Sequence, residues 1–366
     1  MKFTIEKSQL LKVINIVSKG MSSRSTLPIF AGIYIEATVD DVIFQTTDLE
    51  ISIKHITDAL IERRGATVVP GKLFNDIVKS FPDAAIVIEQ KADRLNLSCL
   101  DSSFDIATMN PLDYPAFPQV VFEKTAQLPT KIMTDAVKKV SKAVSRDESR
   151  VVLTGIFLKA EKDSIQMVAT DSYRLAVSRF QLKENMEETI SLIIPGSVLE
   201  EVIRLSAGEE LLKISESENQ IVFHFGTTTF ISRKIEGNYP NYEQIVPQQH
   251  LVSLKINTAL LLGAVKRASI LAQNGGSVRF IIEPDAQLIE IKTQSQEIGS
   301  SSEKLNATIM GERLEIGFNH QYILDGLTAI NTEDLVFEAQ TPLKPGIFRT
   351  IEDDYYFYLT MPVRLD

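Results

Sequence analysis

The sequence predicts an α+β chain of three similar domains, each made of two βα-type units with its two helices on one face and antiparallel sheets outside. Three observations carry this. The chain has 366 residues, too many for one ordinary core, and its 44% hydrophobic and 23% charged residues are those of a globular protein. An apolar strand running into Thr-Asp occurs twice, as Val42-Ile43-Phe44 before Thr47-Asp48 and as Ile165-Gln166-Met167-Val168 before Thr170-Asp171, about 123 residues apart. Pro70-Gly71 recurs as Pro195-Gly196, and Tyr114-Pro115 as Tyr239-Pro240, both at an offset of about 125. So long a spacing suits duplicated domains rather than a solenoid.

The first copy opens with alternation over Lys2 to Ile5, a strand. From Glu6 to Lys19 the period changes, with Leu10, Val13, Ile14 and Val17 on one helical face and Lys12 and Lys19 away from it. Residues 29–37, 41–45, 49–56 and 67–69 read as strands rich in Ile, Phe and Val. Pro70-Gly71-Lys72 then opens a short helix, with Leu73, Phe74, Ile77 and Val78 inward and Phe81-Pro82 as its stop. Strands over 85–89, 95–100 and 104–109 and an extended stretch over 113–118 complete the copy.

The order then repeats. A strand over 122–125 leads to a helix that Thr130 caps and that runs to about Val144, with Met133, Val137, Val140 and Val144 on one face. Lys131, Lys138 and Lys142 project from the other side. Strands follow over 155–160, 164–169, 175–180 and 190–194, then a helix carrying Val198, Val202, Ile203 and Leu205, then three strands ending at 230–234. In the third copy a strand over 251–256 precedes a helix from Asn257 to about Leu271 that carries Lys266 and Arg267. Strands over 278–283, 288–293, 304–309 and 312–317 come next, then a helix capped by Asn319, then strands over 335–339, 346–350 and 355–360. Each copy reads strand, helix, four strands, helix, three strands.

A net charge of −10 argues against attraction of nucleic acid to the whole surface. The helix faces, however, gather Lys12, Lys19, Lys72, Lys79, Lys131, Lys138, Lys142, Lys266 and Arg267 against fewer acids, Asp76, Asp135, Glu200, Glu201 and Asp325. A ring with helices inside would present a positive hole able to hold phosphates without reading sequence. Signals for catalysis are thin. His55, His224, His250 and His320 are isolated and lack metal-ligand spacing. Asn274-Gly275-Gly276 lacks the Lys and Ser/Thr of a phosphate-binding loop, and Ser172 has no glycines of a nucleophile elbow. Asp48 and Asp171 could form a catalytic pair, but with one in each copy a turn or cap is the simpler role. No enzyme, metal or cofactor is expected.

Cys99, the single cysteine, excludes a disulfide framework and lies in a strand-like segment as a small buried apolar residue. No apolar run approaches the ~18 residues that span a bilayer, and the opening residues lack a signal-peptide core, so a cytoplasmic location is expected. The tail leaves Leu359, Met361, Pro362, Val363 and Leu365 as an apolar strip. Two roles stay open for it: a strand edge packed in its own domain, or one wall of a groove for an apolar peptide.

Several segments in order, Met1-Lys2-Phe3-Thr4, Arg24-Ser25-Thr26-Leu27-Pro28-Ile29, Thr47-Asp48-Leu49-Glu50, Ala169-Thr170-Asp171-Ser172-Tyr173-Arg174-Leu175-Ala176, Tyr239-Pro240-Asn241-Tyr242, Ile316-Gly317-Phe318-Asn319 and Met361-Pro362-Val363-Arg364-Leu365, resemble the bacterial DNA polymerase III β subunit family, the sliding clamps. The resemblance implies a DNA-clamp fold with domains at 1–124, 125–248 and 249–366, and a head-to-tail homodimeric ring around duplex DNA. It implies no catalysis; the ring would tether the replicative polymerase, the clamp loader, repair polymerases, ligase and mismatch-repair proteins through short apolar motifs. The matching groove residues are Arg150, Leu153, Thr170, Ser172, Tyr173, Arg174, Leu175, Pro240, Ile245, Leu359, Thr360, Met361, Pro362 and Val363. Leu153, Leu175, Ile245, Leu359, Met361, Pro362 and Val363 would be its apolar walls, and Arg150 and Arg174 its polar rim. Phe104 and Ile106, opposite Ile270 and Leu271, match the dimer interface, and Arg24 matches a DNA contact. The chain departs from the family at Ser172-Tyr173, where some members have Gly-His, at Glu243-Gln244, where others are basic, and at an added Asp366.

Overall fold

A computed structural model describes residues 1–366 except 23–24, 183–187, 273–275, 296–298, 352–354 and 366. The expected DNA contact of Arg24, the Asn274-Gly275 loop and Asp366 therefore lie outside the described residues.

The first copy comprises β1 (Lys2–Glu6), α1 (Lys7–Val17), β2 (Gly32–Ala37), β3 (Val42–Thr47), β4 (Ile51–Thr57), β5 (Leu60–Arg63), β6 (Gly65–Pro70), α2 (Gly71–Ser80), β7 (Ala85–Lys91), β8 (Arg94–Cys99) and β9 (Ser102–Ala107). The second comprises β10 (Lys124–Pro129), α3 (Thr130–Val140), β11 (Gly155–Glu161), β12 (Ser164–Thr170), β13 (Arg174–Gln181), β14 (Ile190–Pro195), α4 (Gly196–Leu205), β15 (Leu211–Glu216), β16 (Gln220–Phe225) and β17 (Thr228–Arg233). The third comprises β18 (Val252–Asn257), α5 (Thr258–Ser269), β19 (Ser277–Glu283), β20 (Leu288–Ser295), β21 (Gly299–Asn306), β22 (Thr308–Gly311), β23 (Leu314–Asn319), α6 (His320–Thr328), β24 (Asp334–Ala339), β25 (Gly346–Thr350) and β26 (Tyr355–Thr360).

The helical periodicity becomes packing directly. Leu10, Val13, Ile14 and Val17 of α1 are all buried. Asn257 and Asn319 cap α5 and α6 through their side-chain oxygens, which accept from the Leu260 N–H and from the Gln321 and Tyr322 N–H groups. Gly326 of α6 lies against the Tyr358 ring, where a Cβ would overlap it, so this helix seats directly on β26. In the third copy Phe280, Phe318 and Phe337 form a triangle with centroids 5.6, 5.8 and 6.0 Å apart. Full burial of each such ring contributes about 1.5–3 kcal/mol.

Some boundaries differ from expectation, each for a local reason. Residues 28–31 form a 3-10 turn led by Pro28, so the expected strand over 29–37 starts at Gly32. The strand placed at 122–125 lies at Lys124–Pro129, and the helix expected to reach Val144 ends at Val140 in a 3-10 turn. The first and third copies also hold a fifth strand between their helices. These two short strands, β5 and β22, return to pair with β1 and β18, the opening strands of their own copies. Leu60-Ile61-Glu62-Arg63 is too short and too charged to announce itself by alternation.

Every strand pair is antiparallel, and the chain divides into two compact units. Met1–Thr130 with Arg204–Lys234 holds a five-stranded sheet, β5-β1-β7-β8-β9, and an eight-stranded sheet, β10-β15-β16-β17-β4-β3-β2-β6. Lys131–Ile203 with Ile235–Asp366 holds a nine-stranded sheet, β14-β11-β12-β13-β26-β25-β24-β18-β22, and a four-stranded sheet, β21-β20-β19-β23. The middle copy is thus shared. Its last strand, β17, pairs with β4 of the first copy, and the third copy's last strand, β26, pairs with β13 of the second. Their equivalents, β9 and β21, are left as sheet edges.

Candidate partner groove and basic helix faces

The repeated Thr-Asp is a turn, built the same way twice. Asp48 Oδ1 accepts from the Glu50 and Ile51 N–H groups at 3.0 and 2.7 Å, and Thr47 Oγ1 accepts from the Leu49 N–H at 3.1 Å. Asp171 Oδ1 accepts from the Tyr173 and Arg174 N–H groups at 2.9 and 3.0 Å, and Thr170 Oγ1 accepts from the Ser172 N–H at 3.2 Å. Both turns hold the residue after Asp in the left-handed region, Leu49 at φ 77° and Ser172 at φ 78°. The two carboxylates serve as side-chain turn acceptors.

The first turn is tied to the Tyr114 hydroxyl, which accepts from the Thr47 N–H at 3.1 Å, whereas the second reaches a charged partner on α6. Arg174 Nε donates to Asp171 Oδ2 at 2.9 Å, its Nη1 donates to Asp325 Oδ2 of α6, and its guanidinium lies 4.4 Å from the centre of the Tyr322 ring. Its side chain is only 12% exposed. Arg174 is therefore not part of an open polar rim; it is a strut joining the turn to α6. Asp325, expected among the outward acids of the helices, is turned onto this guanidinium and is 17% exposed.

Arg150 does stand at the surface. The 3-10 segment Glu148–Thr154 carries it, its Nε donates to Asp147 Oδ2 at 3.1 Å, and its Nη1 donates to Ser172 Oγ at 2.9 Å. Leu175 and Leu359, expected as walls, lie beneath the surface in a cluster with Val168, Val177, Ile347 and Phe357. Phe157, Tyr239, Tyr242 and Val246 pack on that cluster. Phe157 and Tyr239 stack at 5.3 Å, and burial raises the Tyr239 hydroxyl pKa well above its ordinary value. Leu153, Thr170 and Thr360 are likewise buried, so these residues support a floor. What remains open is Tyr173 at 59%, Ile245 at 53% and Met361 at 39%, with Pro240 exposed and Pro362 and Val363 half-buried.

The tail is pinned at two points. The Met361 N–H donates to the Tyr173 carbonyl at 2.8 Å, and the Val363 N–H donates to the Gly317 carbonyl at 2.9 Å. Leu365 packs onto Gly317 so closely that a Cβ there would overlap it. The tail backbone is thus tied to the second copy at Tyr173 and to its own copy at Gly317, while Met361 stays 39% exposed. Sequence reasoning missed Asp147, Tyr322, Tyr242 and Gln166, the last donating to the Tyr242 hydroxyl at 2.8 Å. Tyr242 and Gln166 lie in segments that the repeat and the resemblance single out, but nothing local marks either side chain as part of the groove, and Asp147 and Tyr322 lie in no motif.

Lys12, Lys19, Lys72, Lys79, Lys131, Lys138, Lys142, Lys266 and Arg267 are all exposed. They lie on α1, α2, α3, α5 and the 3-10 turns after α1 and α3; α6 has neither Lys nor Arg. Arg267 is engaged by both oxygens of Glu303 on β21, at 2.9 and 2.7 Å. Of the expected interface residues, Phe104 on β9 is 41% exposed, against Phe81 at 5.4 Å, and Ile270 is 65% exposed. Leu271 is half-buried. Ile106 is 6% exposed and belongs to the core of this chain. Among the described residues no group of His, Cys, Asp and Glu could hold a metal ion, and no helix is long and apolar enough to cross a membrane.

Three repeated α/β copies, of which the second and third each pair their last strand with the copy before, define a duplicated-domain architecture. The chain matches the DNA polymerase III beta subunit N-terminal domain over residues 1–118, its central domain over 127–241 and its C-terminal domain over 243–364. It is 34% identical to a beta sliding clamp of Staphylococcus epidermidis, over 100% of this chain and 99% of that protein. A DNA polymerase sliding clamp from Bacillus subtilis, solved by crystallography, superimposes with a TM-score of 0.94 at 33% identity, covering 100% of both chains. A putative DNA polymerase III beta subunit from Eubacterium rectale gives 0.93 at 28%, again over 100% of both. The chain belongs to the DNA polymerase III beta subunit family. Its function is that of a DNA sliding clamp, a non-catalytic processivity subunit.

Proposed function

We propose that two copies of this chain join head to tail in a ring around duplex DNA and tether the replicative polymerase there. The observation that carries this is the exchange of last strands. β4 receives β17 and β13 receives β26, whereas the equivalent pair, β21 and β9, are both edges. The same pairing made between chains joins β21 of one copy to β9 of the next, and two such joints close with two-fold symmetry. Phe104 and Ile270 supply exposed apolar surface for the joint, with Leu271 beside them. The domains are taken as 1–124, 125–248 and 249–366, and the compartment as the cytoplasm.

The exposed lysines of α1, α2, α3 and α5, with those of the adjoining 3-10 turns, hold the phosphate backbone without reading bases. Arg24 adds a contact there by resemblance. Tyr173, Ile245, Met361 and Pro362, over the floor of Leu175 and Leu359, take short apolar motifs of the polymerase, the loader, repair polymerases, ligase and mismatch-repair proteins. Arg150 meets their polar flank. Tethering makes each rebinding of the polymerase an intramolecular event, and this alone raises processivity.

Retention on DNA is then topological. Loaded chain is expected to stay on closed circular DNA through a high-salt wash and to run off once the circle is linearised. Equal loss from both forms overturns the ring.

A further inference from the structure

Two sheet edges of the third copy follow one another in the chain. β21, an edge of the four-stranded sheet, ends at Asn306, and β22, an edge of the nine-stranded sheet, begins at Thr308. A strand edge offers N–H and C=O groups that a strand of another chain can take. β22 is Thr308-Ile309-Met310-Gly311, without a charged residue, and Met310 is 68% exposed. Leu251, whose carbonyl accepts from the Glu312 N–H just beyond β22, is 54% exposed. β5, at the same place in the first copy, differs: Glu62 pairs with Lys2 at 2.7 Å and Arg63 with Glu89 at 3.3 Å. Charge of that kind keeps an edge from joining other chains.

β22 is closed by another route. Gln287 lies in the hairpin turn between β19 and β20. Its Nε2 donates to the Ile309 carbonyl at 2.8 Å, and its Oε1 accepts from the Ile309 N–H at 2.9 Å. Its own carbonyl accepts from the Ala307 N–H at 3.1 Å. One residue thus takes three backbone groups over residues 307–309, as a pairing strand would. Gln287 holds φ 50°, in the left-handed region that favours glycine. Glycine would relieve that backbone but would give up both bonds to Ile309, so the turn alone does not account for the glutamine.

We propose that Gln287 is a latch on the β22 edge, and that the edge it covers is a latent pairing site for β22 of a second copy of this chain. While the amide is bonded to Ile309, the nine-stranded sheet cannot be extended there. With the amide gone, Ile309 and the residues after it are free to pair antiparallel with the same strand of another copy about a two-fold axis. Met310 and Leu251 add apolar surface to that contact. The latch acts on β22 whether or not β21 and β9 join.

The test is sedimentation velocity of the full chain over a concentration series, beside hydrogen exchange read at the Ile309 amide. The native chain is compared with Gln287→Gly, which relieves the backbone, and Gln287→Ala, which does not; neither has an amide side chain. In both variants the Ile309 amide is expected to exchange about tenfold faster. Both are expected to form species larger than any the native chain forms, with self-association about tenfold stronger. Adding Met310→Lys to either should restore native sedimentation, because a lysine on an edge strand bars pairing. Native sedimentation of both variants, unchanged exchange at Ile309, or larger species that persist with Met310→Lys overturns the latch. Loss of the cooperative melt in both variants overturns it too, since Gln287 would then hold the fold rather than guard an edge.

Discussion

Substituting Arg174 with Ala removes more than one bond. The guanidinium donates to Asp171 at 2.9 Å and to Asp325, lies 4.4 Å from the Tyr322 ring centre, and has a side chain only 12% exposed. Its loss leaves two part-buried carboxylates without their shared cation, and removing one member of such a pair costs about 3–5 kcal/mol. Asp325→Ala is milder, because Arg174 keeps Asp171. It removes the charge-assisted bond from Arg174, costing about 1.5–3 kcal/mol, together with the exposed bond that Asp325 Oδ1 accepts from Gln321 Nε2 at 2.8 Å. Once Arg174 is gone, Asp325 keeps only its bond from Gln321, so the Arg174 bond is counted in both single variants and the two substitutions should couple by about 1.5–3 kcal/mol. Urea denaturation of the two single variants and the double variant, read by circular dichroism, closes the cycle. Additivity to within about 0.5 kcal/mol would refute the strut and return Arg174 to the rim.

Two further outcomes follow from groups in the first unit and in the turns. Burial lowers the His55 pKa from 6.5, and burial with Lys213 and Lys54 lowers that of His224. Both rings take up protons less readily in the fold than when unfolded. Their contribution to stability is therefore complete above the unfolded value near 6.5 and is lost as pH falls through it, by up to about 1.4 kcal/mol per pH unit per histidine. Denaturation midpoints measured from pH 8 to pH 5 should fall less steeply in H55Q/H224Q. Leu49 adopts φ 77° with its side chain 62% exposed, so Leu49→Gly should stabilise the first turn by about 1 kcal/mol and raise the melting temperature. A lower melting temperature would mean that the leucine side chain, and not its backbone, decides the turn.

What could be read in advance was what the chain encodes locally. The spacing of Leu10, Val13, Ile14 and Val17 gave α1, and the recurrence of Thr-Asp gave both turns, because a short-range hydrogen-bond pattern needs only neighbouring residues. What could not be read depends on partners distant in sequence. Asp325 is 151 residues from Arg174, and no periodicity in α6 marks its inward face as ionic. Lys139, one residue from the exposed Lys138, is buried with its ammonium 4.6 Å from the centre of the Phe180 ring. The 100° step between them reverses the environment of otherwise similar side chains. Ile106 and Phe104 share one face of β9, and only the packed structure separates a core residue from an exposed one. β21, with its run of Gly-Ser-Ser-Ser, is a strand because β20 pairs along its whole length, not because its own residues favour extension.

The exchange of last strands also has a consequence for synthesis on the ribosome. His55 of β4 pairs with Thr228 of β17, which emerges 173 residues later, and Arg174 of β13 faces Thr360 of β26. During translation each of these strands therefore waits as an unpaired, aggregation-prone edge while more than a domain's length of chain is made. Folding should then be paced by these two late closures rather than by helix formation.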